Sequence, residues 1–134
     1  MKLIPIDLDP DAPRILYALL GERDEYVNIS HKVMPTFGDH CSFVRMHPFQ
    51  AWYLIEVNGE DVVGQIYLTL LNEIGVQIHR KFQRMGYADL AVDLLRERHG
   101  PRRYLANVAP GNEPSRKLWI KKGFKHIQDT FACQ

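Results

Sequence analysis

Residues 83–88 read Gln83-Arg84-Met85-Gly86-Tyr87-Ala88, a polar run with one glycine set between an apolar stretch and a helical pattern. A turn of this make-up at a helix start leaves several backbone N–H groups unpartnered, and the positive end of the helix dipole adds to them. Such a corner attracts phosphate, and a glycine lets the main chain approach a ligand with no Cβ in the way. The Gly-Lys-Ser/Thr of a P-loop is missing, so a nucleoside-triphosphate reading is the poorer one. Asn112 lies 26 positions beyond Gly86 and opens a second helical run, with Pro114 in its first turn and Gly123 at its close.

The elements that must hold these residues follow from periodicity. Residues 73–79 form an apolar strand run before the glycine turn. After it, Tyr87, Leu90, Ala91, Leu94, Leu95 and Arg98 take the i, i+3, i+4, i+7 spacing of one helix face, which predicts a helix over 86–99 closed by Gly100-Pro101. Residues 104–108 read as a short buried strand, 112–123 as a helix and 124–131 as a last strand. Upstream, Ile4, Ile6 and Leu8 alternate in a first strand over 2–8. Asp11 is an N-cap for a helix with Pro13 in its first turn, ended by Gly21. A second, shorter helix is expected over 22–31, a turn at 36–39 and another short helix over 40–46. Aromatic and β-branched residues make 51–57 a strand, Asn58-Gly59 supplies a hairpin, and 62–71 is the return strand. Antiparallel strands followed by strand–helix–strand–helix–strand imply a mixed α/β (α+β) sheet covered by helices.

The bulk composition narrows the function class. A chain of 134 residues suits one domain spanning 1–134. A net charge of +1 gives no electrostatic case for nucleic acid, and no apolar run approaches the roughly 20 residues of a membrane span. Asp7 and Asp9 interrupt any signal-peptide core, and Cys41 and Cys133 have no metal-like spacing, so the expectation is a cytoplasmic protein with reduced thiols and no metal.

Two stretches together resemble the signatures of the GNAT superfamily of N-acetyltransferases. Residues 83–88 match its Gln/Arg-x-x-Gly-x-Gly/Ala phosphate loop. Residues 112–124, Asn-Glu-Pro-Ser-Arg-Lys-Leu-Trp-Ile-Lys-Lys-Gly-Phe, are similar to its Asn-x-x-Ser/Ala-x-x-Leu-Tyr/Trp-x-Lys-x-Gly-Phe. Either alone is weak, but in this order, with a buried strand between them, they reinforce each other. The resemblance implies a mostly antiparallel, twisted sheet of about six strands flanked by about four helices. Its two central strands, 73–79 and 104–108, would splay apart, with a bulge near Gly75. It implies acetyl-CoA as cosubstrate, held by the main chain of Ile78 and His79. Gln83, Arg84, Met85, Gly86, Tyr87, Ala88 and Asp89 would grip the diphosphate, and Asn112 and Ser115 would contact the cofactor from the next helix start. A backbone N–H near 76–78 would polarise the thioester carbonyl.

The acceptor implied is a primary amine of a small molecule or peptide, which must lose a proton to attack. Here the chain departs from the family pattern. Trp119 stands where a tyrosine commonly protonates the thiolate, and Asn107 stands where related enzymes carry a glutamate base. Glu73 is then the candidate base, with Tyr67, Tyr87 or a water as acid. His31, His40 and His47 are candidates for an acceptor pocket, and the basic cluster of Arg96, Arg98, Arg102 and Arg103 for the cofactor's 3′-phosphate, against the plainer reading of a solvated face. Ten residues follow Phe124 where the family usually has two strands, which implies an edge left blunt or completed in a homodimer. The rival readings are a silent acyl-CoA-binding module and an interaction protein on the same fold.

Overall fold

A computed structural model describes residues 1–23 and 33–133. Four strands, β1 (Lys2–Pro5), β2 (Ala51–Val57), β3 (Asp61–Leu68) and β4 (Ile74–Ile78), pair antiparallel in that order. β1 reaches β2 through α-helical segments, whereas β2, β3 and β4 follow one another through short turns. Asn58 and Gly59, both with positive φ, turn β2 into β3, as a right-twisted hairpin requires. A tight turn led by Thr69, with Asn72 at φ 63°, joins β3 to β4 and leaves Leu70 and Leu71 exposed at its tip.

Alternation along the strands divides the apolar side chains between two faces. Tyr53, Ile55, Ile66, Leu68, Ile74 and Ile78 form one core with Ala91, Val92 and Leu95 of helix α3 (Tyr87–His99) and Trp119 of helix α4 (Glu113–Lys121). Trp52 and Leu54 face the other way, onto Leu16 and Leu19 of helix α1 (Ala12–Gly21) and Val44 of helix α2 (Phe37–Arg45). A relay of amides pins this second layer. The Trp52 indole N–H donates to Gln65 Oε1 at 2.8 Å, the Gln65 amide to Gln77 Oε1 at 3.1 Å, and the Gln77 amide to the Leu19 carbonyl at 2.5 Å. Burying polar groups under a helix is tolerable because each finds a partner.

Several elements differ from the sequence-based expectations. The described residues hold four α-helices, as expected, but four strands rather than about six. β1 stops at Pro5 and the chain tightens into a 3-10 turn over Ile6–Leu8, because proline cannot donate to the ladder. β3 ends at Leu68, three residues short of the expected limit. α2 begins at Phe37, since Thr36 is its N-cap, its hydroxyl accepting from Asp39 N at 3.1 Å. Residues 104–108 make a single parallel bridge, Leu105 to Glu73, instead of a strand. Residues 124–131 form no strand: Phe124 packs on Trp119 at 5.0 Å between ring centres, and the residues after it are exposed. A ladder needs a partner edge, and the bridge at Leu105 offers only one residue of it. Most of the helix expected over 22–31 lies outside the described residues.

Candidate functional site

β4 is paired by a continuous ladder on one side only, the side of β3. The Thr69 N–H donates to the Glu73 carbonyl at 2.9 Å and the His79 N–H to Val63 O at 2.7 Å, which fixes the odd-numbered residues of β4 toward β3. Ile74, Val76 and Ile78 therefore turn their backbone groups to the opposite edge. There the Ile74 N–H donates to Leu105 O at 2.8 Å, and the Leu105 N–H to Asn72 O at 2.9 Å. Beyond that bridge the two segments part. Among the described residues, no backbone acceptor meets the N–H of Val76 or of Ile78. Pairing between the two segments starts at Glu73 and Leu105 and is not continued as a ladder.

Gly75 shows no bulge, since the β3–β4 register runs unbroken from Gly64↔Ile78 to Leu68↔Ile74. The register shift in this sheet lies between Ile55 and Glu56 instead. Glycine is required at 75 for another reason. The Tyr67 ring lies across it, so that any Cβ would fall on the phenol. That ring is stacked on Phe49 at 4.2 Å, nearly parallel, and edge-on to Trp52. Burial lifts the Tyr67 phenol above its ordinary value, the neighbouring Glu73 carboxylate adds to the rise, and Arg23 opposes it. A protonated tyrosine thus faces the α1/α2 side of the sheet, beside the carboxylate.

Backbone torsions set the shape of the corner before α3. After a 3-10 turn over Arg80–Phe82, Arg84 and Gly86 both adopt left-handed φ values, 66° and 80°. Gly86 is the N-cap of α3 and contributes no side-chain cap. The first helical bond here is Leu90 N–H to Gly86 O at 3.2 Å, so the N–H groups of Tyr87, Ala88 and Asp89 precede the helical ladder. Gln83, Arg84, Met85 and Gly86 are all exposed. This is a run of amides at the positive end of a 13-residue helix.

Individual side chains of the predicted set are engaged in ways their types do not announce. Gln83 Nε2 donates to Ile78 O at 3.1 Å and closes the loop onto β4. His79 is turned the other way: its N–H belongs to the β3 ladder and its ring meets Glu22 Oε2 at 2.5 Å. Burial alone would raise the Glu22 carboxyl, but bonds from the Arg80 N–H and His79, with their charges, hold it below the ordinary range. Asp89 is clamped by Lys121 at 2.6 Å and Lys122 at 2.5 Å, and Lys122 also reaches Asp93. The hydrogen bonds from the two lysines hold the Asp89 carboxyl low, so the side chain ties α3 to α4 and only its main chain is turned toward the corner. Asn112 Oδ1 accepts from Ser115 N at 3.3 Å as the cap of α4.

Glu73 sits at the fork. Its Oε1 accepts from the Thr69 hydroxyl at 3.0 Å and its Oε2 from Asn107 Nδ2 at 2.7 Å. The sequence pattern gave no hint of these partners; in hindsight, a threonine four residues before a glutamate across a tight turn is the one signal available. The other candidates make contacts of their own. His40 is buried under α1, with its Nε2 unpartnered, and His47 pairs with Asp7 at 3.4 Å. Arg96, Arg98 and Arg102 donate to the carbonyls of Lys122, Leu3 and His99 respectively. His31 lies outside the described residues. No helix among the described residues is long and apolar enough to cross a membrane.

Comparison with known proteins bears on this geometry. The family model described as "Acetyltransferase (GNAT) family" matches residues 16–124. No curated protein sequence matches. Solved structures with the same fold include spermidine N-acetyltransferase from Vibrio cholerae in complex with CoA and spermine, at 16% identity and a TM-score of 0.81, over 95% of this chain and 82% of that one. A domain from Methanocaldococcus jannaschii aligns at 20% identity and a TM-score of 0.79, over 96% and 90% of the two chains. The microcin C7 self-immunity acetyltransferase MccE, in complex with acetyl-CoA and AMP, aligns at 16% identity and a TM-score of 0.64, over 84% and 72%.

Proposed function

Because this chain belongs to the acetyltransferase (GNAT) family, we propose that it transfers the acetyl group of acetyl-CoA to a primary amine by direct attack in a ternary complex. The observation that carries the proposal is the one-sided ladder of β4 together with the open amides before α3. These residues fit the cosubstrate. Two N–H groups on a free strand edge suit the amides and thioester of an extended arm, and the run of amides at 84–89 suits a diphosphate.

In this reading the N–H groups of Ile78 and Val76 bind the pantetheine arm and polarise the thioester oxygen. Gly86, Tyr87, Ala88 and Asp89 hold the diphosphate through their main chain, helped by Gln83, Arg84 and Met85. His79 contributes by anchoring the end of β4 rather than through its N–H. Asn112 and Ser115 present the start of α4 to the same cleft. Acetyl-CoA supplies an activated acyl carbon with a thiolate leaving group. Glu73 takes a proton from the amine as its nitrogen forms the new C–N bond, and the proton is then released to water. As the C–S bond breaks, Tyr67, protonated, gives its phenol proton to the departing sulfur and recovers one from water, which balances the proton lost by the amine. The amine enters from the α1/α2 face, where the half-buried rings of Tyr67 and Phe49, backed by buried Trp52, provide aromatic surface for a cation or an alkyl chain.

Thiol release from acetyl-CoA, measured across polyamines, amino sugars, amino acids and a peptide N-terminus, tests the proposal. Turnover with at least one amine is the expected result. Tight CoA binding with no turnover on any of them assigns the chain to a silent acyl-CoA-binding module. No rise in melting temperature with CoA sinks both and leaves an interaction protein.

A further inference from the structure

We infer that Thr69 and Asn107 are positioning residues that fix the Glu73 carboxylate at the fork of the cleft, one from each lip. The inference rests on the reading of Glu73 as the base and adds how it is held. Thr69 is orientated before it reaches Glu73. Its hydroxyl oxygen accepts from two backbone N–H groups, Leu71 at 3.2 Å and Glu73 at 3.0 Å. With both lone pairs taken, the one hydroxyl hydrogen is left to donate to Glu73 Oε1 at 3.0 Å. The β3–β4 turn thereby builds a donor of fixed direction.

Asn107 comes from the other side. It stands two residues past Leu105, on the segment that parts from β4, and its Nδ2 crosses the gap to Glu73 Oε2 at 2.7 Å. Each carboxylate oxygen gives up one lone pair to a positioner and keeps another for a proton. The chemistry of the donor matters here. A carboxamide offers an N–H and adds no charge, whereas a carboxylate at 107 would set two anions within hydrogen-bond distance, where only one can stay ionised at ordinary pH. Asparagine at 107 therefore donates to Glu73 without bringing a second negative charge to the fork. The residue that reads as a lost base in the sequence becomes the partner of the base that remains. Asn107 is exposed and Glu73 half-buried, so the pair opens directly onto the cleft.

The experiment measures kcat/KM against pH for the full chain, Glu73→Gln, Asn107→Leu and Asn107→Asp, using acetyl-CoA and an amine that the unmodified chain acetylates. Asn107→Leu is expected to lower kcat at least about tenfold with an unchanged KM for acetyl-CoA. Asn107→Asp is expected to move the acid limb upward by about one pH unit or more. The CoA-dependent rise in melting temperature, unchanged in both, shows that they fold and keep the cleft. Normal kcat in Asn107→Leu with an unmoved acid limb in Asn107→Asp overturns the positioning role while leaving the acetyltransferase intact. Full turnover in Glu73→Gln overturns the base itself, and an unmodified chain that acetylates no amine overturns the reading beneath both.

Discussion

The two sides of the sheet present different kinds of chemical group. On the side of α3 and α4, the groups available to a ligand are main-chain amides: Val76 and Ile78 on a free strand edge, and the N–H groups of residues 87–89 before a helical ladder begins. On the side of α1 and α2, the available groups are side chains: the half-buried rings of Tyr67 and Phe49, backed by buried Trp52, and Glu73 between Thr69 and Asn107. A main-chain site serves whatever carries the right phosphate and amide groups and is set by local backbone shape. A side-chain site is set by which residues the fold brings together, and it can change its acceptor without disturbing the other half.

This contrast can be broken from either side. The largest effect is expected from Gly86→Val. No atom lies where the new Cβ would go, but a β-branched residue is strained at φ 80° and covers the amides. CoA affinity should fall by about 100-fold, near 2.7 kcal/mol, in a calorimetric titration, with little change at the aromatic side. Gly75→Ala acts on the opposite face, where the new methyl meets the Tyr67 ring held by Phe49. A destabilisation of about 1–3 kcal/mol, read by urea unfolding, is expected, together with lower turnover and nearly normal CoA binding. CoA affinity falling as steeply as turnover would mean that the two sides are not separable.

Asn112→Ala removes the α4 cap, and about 1 kcal/mol of stability should go with it. If the cap also presents α4 to the cofactor, CoA affinity drops severalfold; an unchanged dissociation constant would confine Asn112 to its structural role. The smallest effect concerns His40. Burial holds its imidazole below the ordinary value, only partly offset by its bond to the Pro13 carbonyl. A group depressed in this way favours the folded state above its unfolded value, near 6.5, and that advantage is lost as the pH falls further. Between pH 7.5 and 5.5 the melting temperature should drop by roughly 2–4 °C more in the natural chain than in His40→Gln. Equal drops would show that this histidine does not set the acid sensitivity of the α1–α2 layer.

The sequence by itself determined the main-chain half. Gly86 before a helical stripe, and Asn112 before Pro114, are local signals with local consequences, and both stand as helix N-caps in the structure. The Asn58-Gly59 hairpin was legible for the same reason, since a type of turn dictates its residues. Tertiary structure decided the rest. Residues 104–108 and 124–131 carry strand-like patterns, yet a strand exists only where another edge pairs with it, and pairing stops at Leu105. Gly75 signals a bulge in one dimension but makes room for Tyr67 in three. Asn107 counts as a missing base until the fold sets it against Glu73, 34 residues away, because a hydrogen bond between distant segments leaves no periodicity in either.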